Sequence, residues 1–365
     1  MSIASPRPSP FTQAASRRAA LVWMAAGLGA LVARPVLADG GVIGGATGAT
    51  DSAMDGAHAL ALRLAKDTGL DAAWIDTQLA QARYQPEVAR LVLPGRPTQK
   101  NWHAYRKLFV EPLRIAEGAR FARAHTDALG EAEHRFGVPR HVVLGILGVE
   151  TIYGRNMGRF RVLDALATLA IAYPPAAPTD RSPFFARQLG DYFRWCQEAG
   201  IDPASVRGSY AGAIGMPQFM PGSILRWGTG FAPERRGIDL VGNADDAIAS
   251  VANFLAAHGW SPGLPTHFPL LVPRDIPRQT LNALLAPDIV PSFTASQLEA
   301  AGLPLLPRVL DFSHRLAVVQ LPNGDDTPDY VLGTRNFFAI TRYNHSAFYA
   351  LAVIELGHAV LDALG

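Results

Sequence analysis

The chain has 365 residues, of which 49% are hydrophobic and 18% charged, and its formal net charge is +2. This composition is that of a globular protein with a large core, and so small a net charge, with no basic stripe, argues against nucleic-acid binding. Cys196 is the only cysteine, which excludes an internal disulfide and a cysteine metal cluster.

Residues 1–38 are typical of an export signal. The pair Arg17 and Arg18 precedes an apolar run, and Val36-Leu37-Ala38 favours cleavage after Ala38. The arginine pair also resembles a twin-arginine signal. The apolar run is shorter than the roughly 20 residues of a membrane span, which favours a cleaved signal over a retained anchor. No cysteine lies near the cleavage point, so the sequence predicts an exported protein that is not a lipoprotein.

The mature chain divides into four predicted parts after a flexible leader at 39–56. Helical spacing of apolar residues predicts a helical N-terminal subdomain at 57–137 and a helical core at 138–261. Short apolar runs from Phe268, at Leu316–Leu321 and at Tyr330–Leu332, between proline and glycine turns, predict three strands in a small β-rich subdomain at 262–335. A last helix lies in 336–365, so the predicted fold class is mainly α (α+β).

One carboxylate in the core segment lies on the apolar face of a predicted helix. Pro139 suits a first helical turn and Gly154 a stop, which places Glu150 in the last turns. Burial of that face raises the pKa of a carboxyl group and leaves it able to donate a proton near neutral pH. A solvated or ion-paired glutamate remains an alternative. Helical spacing puts three apolar residues on the same face: Val143, Ile146 and Leu147.

Two further segments accompany Gly-Val-Glu150-Thr-Ile-Tyr-Gly. They are Gly208-Ser-Tyr-Ala-Gly-Ala-Ile-Gly-Met-Pro-Gln-Phe-Met-Pro221 and Ile-Thr-Arg-Tyr343-Asn-His-Ser. Glycine spacing alone fits a close-packed joint between helices as well as a binding loop. In this order and spacing the three segments resemble the lytic murein transglycosylase B family, glycoside hydrolase family 103. The resemblance extends from Tyr105 to the last helix.

The resemblance implies a lysozyme-like α core and a periplasmic enzyme that cleaves the glycan strands of peptidoglycan. Such enzymes break the β-1,4 bond between N-acetylmuramic acid and N-acetylglucosamine without water and leave a 1,6-anhydro ring. Glu150 matches the family's single acid and base. No cofactor is implied, and the protein is expected to act as a monomer on peptidoglycan strands, with cell-wall synthesis or remodelling proteins as candidate partners.

Ordinary glycosidases use two carboxylates, but no second acid stands in a comparable motif here. Asp164 is well placed to cap a helix, Asp180 lies in a proline-rich loop and Asp191 in an amphipathic helix. This agrees with a reaction in which the substrate's own N-acetyl group stabilises the anomeric cation. A hydrolytic muramidase and a non-catalytic peptidoglycan-binding protein remain alternatives.

The resemblance also assigns six substrate-binding side chains. Ser209 is expected to contact the substrate's N-acetyl group or the acid, while Gln218 and Asn344 hydrogen-bond the sugar. Tyrosines wall the cleft, where a flat ring stacks on a sugar face. Two structural alternatives stay open, Tyr349 as a core residue and Asn344 as a helix N-cap. The complete set is Ser209, Gln218, Tyr343, Asn344, Tyr105 and Tyr349.

The sequence departs from the family in two places. Residues 227–240 have Pro, Arg and Phe where an EF-hand-like loop requires alternating oxygen ligands, and the histidines lack metal spacing, so no metal is predicted. After Tyr173, Pro-Pro-Ala-Ala-Pro replaces arginines that relatives place near the peptide-bearing sugar. The sequence therefore predicts no residue in this loop that recognises the charges of the stem peptide.

Overall fold

Helices dominate the molecule. The structure is a computed structural model, and it describes residues 49–95, 99–231 and 237–365. The export signal predicted for residues 1–38 lies outside these residues. Within them, helices with two small antiparallel sheets confirm the predicted mainly α fold class. No helix in the described ranges combines the length and the apolar character needed to cross a bilayer.

Six helices form the N-terminal part. Asp71 caps α2 by accepting a hydrogen bond from the Trp74 amide (2.7 Å), and Asn101 caps α4 in the same way (2.8 Å). The first helix begins within the segment predicted to be a flexible leader, so that leader does not extend to residue 56. The helices are α1 (Ala49–Thr68), α2 (Ala72–Leu79), α3 (Pro86–Leu91), α4 (Trp102–Phe109), α5 (Pro112–Ala124) and α6 (Thr126–Phe136).

The core is built around one buried helix, α7. Every residue from Val142 to Val149 is buried, because α5, α6, α11 and α16 pack around it. A two-stranded sheet pairs β1 (Phe160–Arg161) with β2 (Arg207–Gly208). The core helices are α7 (Arg140–Thr151), α8 (Val162–Ile171), α9 (Ser182–Ala199), α10 (Pro221–Trp227) and α11 (Ala244–Ala257).

Helix α16 (Ala347–Asp362) completes the core by packing directly on α7. A Cβ atom on Gly145 would overlap the Val353 carbonyl oxygen, and one on Gly357 would overlap the His141 carbonyl oxygen. Late residues of α16 therefore meet early residues of α7, so the helices are antiparallel. Their glycines let the backbones touch and bring the last turn of α7 beside the first turn of α16.

A second, smaller hydrophobic core lies in the segment predicted to be β-rich. The three predicted strands are present in the antiparallel order β3-β5-β4, with Leu332 opposite both Phe268 and Val318. Three short helices between them were not predicted, so the description as β-rich was incomplete. The elements are β3 (His267–Pro269), α12 (Arg278–Leu285), α13 (Ala295–Ala300), α14 (Pro307–Leu310), β4 (Ala317–Asn323) and β5 (Asp326–Gly333), and α15 (Arg335–Ile340) leads back to the core.

Asp164 has a structural role, but not the predicted one. The N-cap residue of α8 is Arg161, and Asp164 lies buried within the first turn. Its carboxylate accepts hydrogen bonds from the Arg83 amide (3.0 Å) and from Gln85 Nε2 (3.2 Å). The prediction of a cap was therefore wrong, since this carboxylate instead connects α8 to the segment before α3.

Candidate active site

Glu150 lies in the last turn of α7, as predicted. The helix ends at Thr151, where Ile152 and Tyr153 both adopt left-handed backbone angles (φ 53° and 54°). Gly154 follows with φ 89°, three residues beyond the helix end. The residues predicted to share the face of Glu150 are fully buried: Val143, Ile146 and Leu147.

Glu150 is half-buried, and one oxygen of its carboxyl group accepts a hydrogen bond from a neighbouring tyrosine. Burial raises its pKa from 4.5 to about 7, although the hydrogen bond from the Tyr349 hydroxyl to Oε1 (2.7 Å) opposes this rise. At neutral pH both the acid and the carboxylate are therefore populated. A group in this state can donate a proton and later take one back.

Tyr349 and Tyr343 form a stacked pair beside Glu150. Their ring centroids are 6.2 Å apart with an interplanar angle of 14°. The Tyr343 hydroxyl donates to the Pro217 carbonyl oxygen (2.6 Å), which connects the pair to the loop of Gly208–Pro221. Burial and the charge of Glu150 raise the pKa of both phenols, so both remain hydrogen-bond donors. Tyr349 thus lies in the core and also contacts the acid.

Tyr105 reaches the same region from α4. Its ring packs against Phe109 (4.9 Å) and Phe348 (5.5 Å), and its buried hydroxyl has no hydrogen-bond partner among the described residues. Burial and the charge of Glu150 raise the pKa of this phenol. This phenol is therefore a protonated donor that lacks a partner within the described chain.

The loop Gly208–Pro221 is held in shape by its own polar groups. Ser209 Oγ accepts from the Ala211 and Ala213 amides (3.3 and 3.0 Å), and these are its only hydrogen bonds within the described chain. Gln218 has a left-handed backbone (φ 51°), and its Nε2 donates to the carbonyl oxygens of Met157 (3.2 Å) and Gly215 (2.9 Å). Both amide protons of Gln218 are thereby used, and its Oε1 is left as an acceptor.

Asn344 is buried in the turn before α16. The N-cap of that helix is Ser346, whose hydroxyl accepts from the Tyr349 amide (3.3 Å), so Asn344 as an N-cap was wrong. In the described part of the chain no hydrogen bond reaches the Asn344 side-chain amide. It remains available to a ligand.

Thr151 is a site residue that the sequence reasoning missed. Its buried hydroxyl donates to the Met216 carbonyl oxygen (2.8 Å) and accepts from the Gly154 amide (3.0 Å). It therefore connects the end of the catalytic helix to the loop that carries Gln218. The available signal was a hydroxyl residue directly after Glu150 in the motif.

The other acids considered as a second catalytic carboxylate interact with groups other than Glu150. Asp180 accepts hydrogen bonds from the Ser182 amide (2.8 Å) and hydroxyl (3.1 Å). Asp191 is half-buried, and the guanidinium of Arg226 opposes the rise in its pKa that burial causes. Asp164 is bonded as described above. In the described residues, no second carboxylate contributes to the raised pKa of Glu150.

Comparison with known proteins decides the family. A model of the transglycosylase SLT domain matches residues 55–358. The chain belongs to the transglycosylase SLT domain family. It is similar to membrane-bound lytic murein transglycosylase B of Escherichia coli (strain K12), with 35% identity over 315 residues, which cover 80% of this chain and 79% of that protein.

Solved structures of lytic transglycosylases are also similar to this protein. The Escherichia coli lytic transglycosylase Slt35 in complex with calcium has 35% identity and a TM-score of 0.72, covering 85% of this chain and 93% of that one. SltB3 from Pseudomonas aeruginosa in complex with NAG-NAM-pentapeptide has 28% identity and a TM-score of 0.70, covering 85% and 79%. The chain is thus an enzyme of the lytic transglycosylase class with a lysozyme-like fold.

The described residues of this transglycosylase do not fit a calcium ion. They contain no group of three or more His, Cys, Asp or Glu side chains that could hold a metal. In the loop between α10 and α11, Asp239 Oδ1 accepts from the Val241 and Gly242 amides (2.9 and 2.8 Å). Residues 232–236 lie outside the described chain, so the absence of a metal stays a prediction.

A cavity of about 720 Å³ lies beside the transglycosylase site without including it. Met157 and Trp195 are among its lining residues, whereas Glu150 and the six predicted cleft side chains are not. Because the Met157 carbonyl oxygen accepts from Gln218 Nε2, the cavity adjoins the loop that carries Gln218. The predicted site residues lie on α4, on α7, in the loop Gly208–Pro221, in the turn before α16 and on α16 itself.

Proposed function

We propose that this lytic transglycosylase cleaves the β-1,4 bond between N-acetylmuramic acid and N-acetylglucosamine in peptidoglycan strands, with Glu150 as its only acid and base. The supporting observation is that Glu150 combines a pKa of about 7 with a hydrogen bond from Tyr349 and no neighbouring carboxylate among the described residues. A single carboxyl group that is populated in both states suits a reaction in which it acts twice.

In the first step, protonated Glu150 donates its proton to the glycosidic oxygen. The bond between that oxygen and the anomeric carbon breaks, and N-acetylglucosamine leaves with a free 4-hydroxyl. The N-acetyl carbonyl oxygen of the muramic acid stabilises the positive charge at the anomeric carbon, as in other substrate-assisted glycosidases. The Tyr349 hydroxyl stabilises the new carboxylate of Glu150 through the 2.7 Å hydrogen bond.

In the second step, the Glu150 carboxylate removes the proton from the 6-hydroxyl of the muramic acid. The 6-oxygen bonds to the anomeric carbon and closes the 1,6-anhydro ring. Glu150 is protonated again, and no water is consumed. Because no water molecule attacks, no second carboxylate is needed to activate one.

The remaining predicted residues would hold the sugar in place. Gln218 presents Oε1 to a sugar N–H or O–H, because its own amide protons are bound to Met157 and Gly215. Ser209 accepts two backbone hydrogen bonds and still has its O–H to donate to the N-acetyl group. The free hydroxyl of Tyr105 and the free amide of Asn344 offer further polar contacts.

The decisive experiment is digestion of purified sacculi, followed by mass spectrometry of the released muropeptides. Wild type is expected to release 1,6-anhydro ends, and Glu150→Gln to release none while keeping the wild-type circular dichroism spectrum. Reducing ends, which are heavier by one water, would instead identify a hydrolase. Binding to sacculi without any product from wild type would identify a non-catalytic binding protein.

We also propose that residues 1–38 are an export signal and that the mature protein acts in the periplasm as a monomer. We propose that it consists of a helical N-terminal subdomain at 57–137, a catalytic core at 138–261 completed by 336–365, and a small subdomain at 262–335. The paired arginines and the Val36-Leu37-Ala38 sequence support the signal. N-terminal sequencing of the protein from a periplasmic extract tests it, and a sequence beginning at Asp39 is expected.

A further inference from the structure

Arg114 lies in the first turn of α5, where its side chain also reaches the ends of α4 and α7. The side chain is only 11% exposed. Nη1 donates to the Leu108 carbonyl oxygen near the end of α4 (2.9 Å), and Nε donates to the Gly148 carbonyl oxygen in the last turn of α7 (3.2 Å). Because the guanidinium group is planar and presents its donors in a fixed fork, one side chain holds two helix ends at a set separation.

Two neighbours fix the orientation of this guanidinium group. Glu111 Oε1 accepts one hydrogen bond from Nη1 (3.2 Å) and another from the Arg114 amide (2.9 Å), so the acid that caps α5 also pairs with the cation. The centroid of the Phe109 ring lies 5.2 Å from Cζ. Both protons of Nη1 are thereby used, and Arg114 is held in an orientation that reaches both carbonyl oxygens.

The two bonded carbonyl groups lie next to two residues of the proposed site. Tyr105 is three residues before Leu108 on α4, and Glu150 is two residues after Gly148 on α7. The charge of Glu150 contributes to the raised pKa of Tyr105, so the phenol and the carboxyl group are close although they lie on different helices. A shift of one helix end relative to the other would therefore change their separation.

Helix α4 depends on contacts with other elements for its position. It has eight residues, and isolated helices shorter than about 12–15 residues are only marginally stable. Asn323 Oδ1 of β4 accepts from the His103 amide (3.2 Å), and Arg106 forms a salt bridge with Glu355 of α16. Neither contact involves α7. In the described chain no hydrogen bond joins α4 directly to α7, so Arg114 provides this connection.

We propose that Arg114 is a positioning residue that fixes Tyr105 of α4 relative to Glu150 of α7, so that a bound glycan strand contacts both residues at once. The inference rests on the proposed function, in which Tyr105 contacts the sugar and Glu150 donates the proton. The donors of Arg114 that bond Leu108 and Gly148 hold protein groups, so its effect on the reaction passes through Tyr105. A strand that no longer reaches both residues loses the Tyr105 contact and binds more weakly.

A double-mutant cycle on peptidoglycan strands tests the proposal. KM and kcat for the release of anhydro-muropeptides are measured for Arg114→Gln, Tyr105→Phe and the double variant. Each single variant is expected to raise KM by up to about tenfold, the effect of losing one hydrogen bond to the substrate, while kcat changes little. The double variant should be no worse than the poorer single variant, because a displaced Tyr105 has already lost its contact. Rises in KM that multiply, or an unchanged KM of Tyr105→Phe, would overturn the proposal.

Arg140→Gln is the matched control. Arg140 lies at the start of α7, and its Nε and Nη2 donate to Glu133 (2.8 and 2.6 Å), but within the described ranges it makes no hydrogen bond to α4. The KM of this variant should equal that of wild type. If Arg140→Gln raises KM as much as Arg114→Gln does, the effect is a general loss of stability and the proposal is overturned.

Arg114→Lys tests the fork itself. The variant should recover part of the loss in KM, because an ammonium group keeps the charge beside Glu111 but lacks the planar fork that reaches both carbonyl oxygens. If Arg114→Gln does not fold, the same cycle with Arg114→Lys decides between the two outcomes. Multiplying losses overturn the proposal there as well.

Hydrogen exchange measures the connection without turnover. In Glu150→Gln protein, the added Arg114→Gln substitution should speed amide exchange in α4 and leave exchange in α9 unchanged. Unchanged exchange in α4 would overturn the proposal. Calorimetric binding of strands to the same proteins, with and without Tyr105→Phe, repeats the cycle as affinities. Faster exchange in α4 and a non-additive loss of affinity, with no anhydro product from wild type, would refute the proposed reaction and leave the role of Arg114 supported.

Discussion

The Tyr349 hydroxyl donates a 2.7 Å hydrogen bond to Oε1 of Glu150 from a position 199 residues away in the chain. The contact exists because α16 packs against α7 through Gly145 and Gly357. Burial alone would keep Glu150 protonated, whereas the tyrosine stabilises its carboxylate. The balance places the pKa of Glu150 at about 7, where one group can serve as acid and then as base.

Removal of this hydrogen bond should move the pH dependence of catalysis. Wild-type activity is expected to fall as the pH rises through about 7, because the protonated form of Glu150 starts the reaction. Tyr349→Phe removes a donor to the carboxylate, which raises the pKa of Glu150 further and shifts the falling limb to higher pH. Rates of anhydro-muropeptide release across the pH range measure this.

The matched control for that shift is Tyr330→Phe in the smaller subdomain, where the hydroxyl accepts a hydrogen bond from Gln320 (2.9 Å). Its pH profile should coincide with wild type. A Tyr349→Phe profile with an unmoved limb, whatever its absolute rate, would contradict the assigned electrostatic role of the tyrosine.

Glu150→Gln should stabilise the protein at alkaline pH. The folded-state pKa of about 7 exceeds the ordinary 4.5, so the folded protein binds more protons than the unfolded chain between these values. Wild type therefore loses stability as the pH rises through this window, whereas the glutamine variant does not. The expected difference grows to about 3 kcal/mol above the window and vanishes below it.

Urea unfolding at about pH 4, 6 and 8 checks this expectation. Glu131→Gln, at an exposed site on α6, makes the same chemical change away from the site. A difference between Glu150→Gln and wild type that stays constant with pH would contradict the raised pKa.

Gly145→Ala should destabilise the core, because its Cβ would meet the Val353 carbonyl oxygen of α16 and separate the two helices. Overpacking of this kind typically costs about 1–3 kcal/mol. The hydrogen bond between Tyr349 and Glu150 should weaken with it, so activity falls as well. Thermal unfolding measures the loss of stability.

Gly130→Ala is the matched control, since Gly130 lies inside α6 and a Cβ there has no neighbour within 4 Å. It should stabilise the protein by about 0.5–1 kcal/mol through helix propensity. Equal effects of the two substitutions would show that helix propensity, and not the contact with α16, decides the result at Gly145.

Thr151→Val should reduce activity more than its effect on stability explains. The substitution removes the hydrogen bonds to the Met216 carbonyl oxygen and from the Gly154 amide, and so releases the loop that carries Gln218. We expect a loss of about 1–2 kcal/mol of stability and at least a tenfold lower kcat. The kcat is measured at a temperature where the variant remains folded.

Thr77→Val is the comparison, because its exposed hydroxyl bonds only the Ala73 carbonyl oxygen of its own helix (2.8 Å). It should leave kcat unchanged. A Thr151→Val enzyme with wild-type kcat would show that the loop keeps its position without this hydroxyl.

The sequence by itself determined the helical class, the burial of the Glu150 face and the positions of the three strands, because each follows from local periodicity and turn residues. It missed helices α12–α14, whose few residues carry too little periodicity to be recognised. It also misplaced two caps: Asp164 and Asn344 are common N-cap types, yet tertiary contacts use them elsewhere.

Only the tertiary structure decided the partners of the acid. The hydrogen bond of Tyr349 to Glu150 and the link of Thr151 to Met216 both join groups that are distant in sequence. Such contacts depend on how closely two helices pack, and no local pattern encodes that distance. The sequence alone could identify the carboxylate, but the packing of α7 on α16 sets its pKa.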